Sequence, residues 1–104
     1  MRVWICQALC GSERHCMAAA AGEAPSREAA IALLELPLRD RVNASIAAGG
    51  IEPICGLCLA PAATWRYETC RTGFRTLAAA TPTLRRLERT QRRASLPARP
   101  RRGA

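Results

Sequence analysis

The sequence predicts a small α+β domain with short antiparallel strands and two to three helices. Three observations point there. β-forming runs occupy Arg2–Ala8 and Thr64–Thr69, a helix-periodic stretch covers residues 27–48 between them, and six cysteines stand in a chain of only 104 residues. A chain this short buries a thin core and commonly needs a staple, whether a metal, a disulfide or a partner. The only aromatics are Trp4, Trp65, Tyr67 and Phe74, so the core rests largely on Ala, Leu and Ile. Residues 1–93 are expected to fold, and residues 94–104 to form a disordered basic tail broken by Pro97 and Pro100.

The elements follow in order. Val3, Trp4 and Ile5 supply β-formers to the first strand. Gly11-Ser12-Glu13-Arg14 reads as a turn, and the alanines of Cys16–Ala21 predict a short helical turn ending near Gly22. Ser26, with Pro25 before it, is placed to cap a helix. Ile31, Leu34, Leu38, Val42 and Ile46 then mark one helical face. Pro37 lacks an amide donor, so the stretch is expected as a kinked helix or as two, 27–36 and 38–48, stopped by Gly49-Gly50. Pro53-Ile54-Cys55-Gly56-Leu57-Cys58 is a tight turn, Thr64–Thr69 alternates as a strand, and Gly73 ends it. Phe74–Ala80 and Pro82–Arg93 look helical, the second with Thr81 as cap, Pro82 at its first position and an i,i+4 pairing of Glu88 with Arg92.

Charge is unevenly placed. Residues 1–80 carry a net +1 and residues 81–104 a net +7, which together give the overall +8. The folded part is nearly neutral, with a basic arm at its C-terminal end. No stretch approaches the roughly 20 apolar residues that span a bilayer. Gln7, Glu13, Arg14 and His15 spoil the resemblance of the N-terminus to a signal peptide. A cytoplasmic, reducing compartment is therefore expected, where thiols ligate metals rather than pair as disulfides.

Cys55-x2-Cys58 has the spacing at which a tight turn aims two sulfurs at one ion, and Gly56 eases that turn. A redox pair would need the motif to open a long helix, which Ala60-Pro61 argues against. The second ligand pair is Cys6 with Cys10, or alternatively Cys10 with His15; both spacings occur in zinc sites. Cys10 belongs to either option. Cys16 and Cys70 read as core or spare thiols. One structural Zn2+ held by Cys6, Cys10, Cys55 and Cys58, with His15 as the alternative to Cys6, is the expected cofactor.

Two cysteine pairs with a strand after the knuckle resemble a small zinc-ribbon or treble-clef module. The order WICQALCGSERHC, ICGLC, WRYETCRTGFRTL is more loosely similar to short uncharacterised bacterial prophage proteins, over roughly residues 3–90. That resemblance implies a phage-type context and a zinc-bound fold, and no particular activity.

Enzyme chemistry is not expected: His15 is the single histidine, the acids form no paired motif, and no phosphate-binding loop appears. Arg85, Arg86, Arg89, Arg92 and Arg93 on the last helix, continued by Arg99, Arg101 and Arg102, predict a DNA or RNA partner whose phosphates they neutralise. The alternative is a protein-interaction or assembly adaptor using the Ala/Leu-rich helix 27–48 and the stripe of Leu84 and Leu87.

Overall fold

The computed structural model describes residues 1–11, 15–49 and 52–95. Three antiparallel strands, β1 (Arg2–Leu9), β2 (Cys16–Ala24) and β3 (Arg66–Thr69), form one sheet in the order β2-β1-β3. The β1–β2 hairpin holds register from Arg2 opposite Ala24 to Ala8 opposite Ala18, then shifts at Leu9, which faces Cys16.

β2 corrects the expectation of a helical turn at Cys16–Ala21. Alanine's helix propensity is worth only tenths of a kcal/mol per residue, and tertiary context overrides it. Here the alanines serve a sheet packed on both faces, where small side chains let helices approach the backbone. Ala18 and Ala20 lie against the cluster of Trp4, Cys6, Ala8, Leu34 and Leu38, and Ala21 against the opposite cluster of Val3, Ile5 and Ala80.

The first cluster is covered by a helix in three parts: α1 (Arg27–Ala30), a π-helical segment (Ile31–Glu35) and α2 (Leu36–Gly49). Ser26 caps it as predicted, its hydroxyl accepting from the Ala29 amide at 3.1 Å. The helical run continues through Pro37 as one helix rather than as two separate ones. The wider π turn just before Pro37 accommodates a residue that has no amide and crowds the carbonyl four positions back. Leu34 and Leu38 are buried, Val42 and Ile46 half-buried, and Leu33 and Leu36 exposed. The guanidinium of Arg27 donates to the Thr69 and Cys70 carbonyls, and that of Arg39 stacks 4.9 Å over the Tyr67 ring centre, so both tie this helix to β3.

The second face is covered by α3 (Leu77–Ser95). This single helix replaces the two expected. Phe74 is extended, exchanging both backbone hydrogen bonds with Val3 (2.9 and 2.7 Å). The cap is Thr76, whose hydroxyl accepts from Ala79 at 3.1 Å, and not Thr81, whose hydroxyl donates to the Leu77 carbonyl. Pro82 stands inside the helix as its sixth residue, where it removes one ladder bond. Gly73 lies where the chain crosses the start of β1. A Cβ there would stand 2.8 Å from the Cβ of Arg2 and 3.0 Å from Cε2 of Trp4, so only glycine fits without displacement.

A 3-10 turn, Ala62–Thr64, leads into β3 and shortens the strand expected from Thr64. α2 ends at Gly49; Gly50, the predicted turn at 12–14 and residues 96–104 of the predicted tail lie outside the described residues. Among the described residues, no helix is long and apolar enough to cross a membrane.

Candidate metal centre

Four ligand-type side chains, Cys10, His15, Cys55 and Cys58, converge so that their sulfurs and imidazole nitrogen all lie within 4.8 Å of one another. The hairpin delivers the first two. Cys10 follows the last residue of β1 and His15 precedes the first of β2, and the Cys10 amide donates to the His15 carbonyl at 3.0 Å across the hairpin neck. His15 returns its own amide to Cys10 Sγ at 3.1 Å, and its Nδ1 lies 3.2 Å from that sulfur.

The knuckle after α2 delivers the other two. Its turn is closed by the Leu59 amide donating to the Cys55 carbonyl at 2.9 Å and the Cys55 amide donating to the Ala60 carbonyl at 3.0 Å. Leu59 closes it in the left-handed region at φ 67, a conformation that costs a side-chain-bearing residue about 1 kcal/mol or more. The Leu57 amide points at Cys55 Sγ (3.4 Å), Cys58 Sγ reaches Cys10 Sγ at 3.3 Å, and Cys55 Sγ lies 3.5 Å from His15 Nδ1.

These separations suit a tetrahedral ion. Metal–sulfur bonds of ~2.3 Å put neighbouring ligand atoms about 3.8 Å apart, close to the contacts observed. Cys10 and Cys55 are wholly buried, while His15 and Cys58 are partly exposed.

The thiols are unequal. Burial pushes Cys10 up to about 11, the neighbouring sulfurs of Cys58 and Cys55 add to the rise, and the His15 amide opposes it. Burial also raises Cys55, but the amides of Cys58 and Leu57 and the contacts with Cys58 and His15 outweigh it and hold that thiol near 7. Three sulfurs so close cannot all be thiolates without a cation among them, and a bound cation deprotonates coordinating thiols outright.

Cys6, expected as a ligand, is not in the cluster, and His15 takes the fourth position. Cys6 lies four residues back along an extended strand, about 13 Å at ~3.3 Å per residue, opposite Ala20 and Thr69 and fully buried in the core. Burial pushes its thiol from 9.0 up to about 11; a hydrogen bond to Thr69 opposes the shift and nearby Glu35, Cys70 and Cys16 add to it. The unfolded chain releases this proton first and so binds fewer protons, which makes stability fall as pH rises between those values. A loss on the order of 2 kcal/mol across that window is expected, measured as urea unfolding at both ends of it, and Cys6→Ala should flatten the dependence.

Cys16 is buried with its thiol raised by burial, and Cys70 accepts the Ile5 amide at 3.3 Å, so both act within the core. Arg85, Arg86, Arg89, Arg92 and Arg93 are all exposed on α3. Helix and metal site are joined by a hydrogen bond: the Gly56 amide of the knuckle donates to the carbonyl of Ala94, which is fully buried in the last turn of α3. The knuckle thus satisfies a carbonyl that the helix end leaves open. No protein family, curated protein or solved structure matches this chain.

Proposed function

We propose that this chain is a small structural zinc protein that works as a nucleic-acid-binding module. The zinc half rests on one observation: three thiols and one imidazole from separate chain segments meet within 4.8 Å. A sulfur-rich, four-ligand set is the usual closed structural zinc site, leaving no position for a substrate or an activated water. The ion would staple the hairpin neck to the knuckle, across about forty intervening residues. Its role is structural, not catalytic.

The nucleic-acid half is supported by the five exposed arginines of α3, whose C-terminal turn the knuckle holds through Ala94. The adaptor alternative has in its favour the exposed Leu33 and Leu36 on the first helix and the exposed Ile54, Leu57 and Leu59 on the knuckle.

Elemental analysis of the purified, reduced chain tests the metal. One zinc per chain is expected, retained by Cys6→Ser and lost or greatly weakened in His15→Ala. A metal-free chain under metal-replete, reducing conditions would overturn the reading.

A further inference from the structure

α3 is the outermost layer on its side of the sheet, and its two sides differ sharply. Ala80 and Ala94 are fully buried, and Leu84 and Leu87 pack beside Val3 and Ile5. Arg85, Arg86, Arg89, Arg92 and Arg93 are exposed on the other side. At 3.6 residues per turn the five fall within an arc of about 120°, and ~1.5 Å per residue spreads them over about 12 Å of axis. Arg89 lies at the middle of that arc. Arg85 and Arg92 form one flank, and Arg86 and Arg93 the other.

We propose that this face of α3 enters the major groove of B-form duplex DNA, with the two flanking arginine pairs on phosphates of opposite strands and Arg89 on a guanine edge. The inference rests on the nucleic-acid reading above and names its form and geometry. A helix about 10–12 Å across fits a groove about 12 Å wide, and a helix backed by the sheet projects far enough to enter it. Charge is complementary, since Glu88 at the margin of the arc is the only acid in α3. Single strands are bound largely by stacking on aromatic side chains, and α3 has none. Double-stranded RNA has a major groove too deep and narrow for side chains to read. An arginine facing the groove floor matches the paired acceptors O6 and N7 of guanine.

The test uses the zinc-loaded full chain and fluorescence anisotropy with three short probes of one G-containing sequence: duplex DNA, single-stranded DNA and double-stranded RNA. Duplex DNA is expected to bind tightest. Arg85→Ala or Arg93→Ala should make the slope of log K against log salt shallower by about 1. Replacing guanine by 7-deazaguanine removes N7 from the major groove. It should weaken the wild type by about 5-fold or more and have little further effect on Arg89→Ala. Equal binding of single strands or duplex RNA overturns the groove assignment while leaving nucleic-acid binding intact, as does indifference to 7-deazaguanine or displacement by a minor-groove ligand. Undetectable affinity for all three at low salt overturns both.

Discussion

On the proposed zinc reading, Cys55→Ser is expected to release the metal and abolish cooperative folding at 25 °C. Cys55 is wholly buried, lies 3.5 Å from the imidazole of His15, and accepts the Leu57 amide through its sulfur. Structural zinc contributes about 10–16 kcal/mol in small metallo-domains, whereas a domain's entire stability is only about 5–15 kcal/mol. Removing one thiolate therefore removes a term as large as the net. The effect should spread to the last turn of α3, because the Gly56 amide that holds the Ala94 carbonyl belongs to the same knuckle. Circular dichroism and elemental analysis read the result together, with Cys70→Ser as a control that keeps its zinc. A zinc-free variant that unfolds at the wild-type midpoint would show that the cluster does not hold the fold.

Trp4→Ala should cost about 3–5 kcal/mol without touching a ligand. Trp4 is 6% exposed and is the largest buried side chain in the cluster it shares with Cys6, Ala8, Leu34 and Leu38. Its indole donates to the Ala24 carbonyl at 3.0 Å, tying the start of β1 to the end of β2. Alanine leaves a cavity that the neighbours fill only in part and an acceptor without its donor. Trp4→Phe keeps most of the buried area and should cost less than half as much. Urea unfolding at fixed zinc measures both, and a Trp4→Ala midpoint equal to wild type would place the core elsewhere.

Much of this was legible along the chain. The β-forming run of Val3, Trp4 and Ile5, the cap at Ser26, the apolar stripe through Leu34 and Leu38, and the turn at Cys55–Cys58 depend on neighbours within a few residues, where propensity, periodicity and spacing act. The five arginines of α3 were visible for the same reason, since helical spacing alone puts them on one side.

What failed depended on contacts distant in sequence. An alanine run isolated from its partners favours helix; paired with β1 and covered on both faces, Cys16–Ala24 is a strand. The fourth ligand hung on that strand. With β2 helical, Cys6-x3-Cys10 and Cys10-x4-His15 are equally good spacings. With β2 paired to β1, the hairpin neck brings Cys10 and His15 together and an extended β1 carries Cys6 about 13 Å away. The sequence by itself determined which residue types would bind a metal, and that Cys55, Cys58 and Cys10 would be among them. Only the tertiary structure decided for His15, because strand pairing, not chain spacing, sets which side chains face a common point.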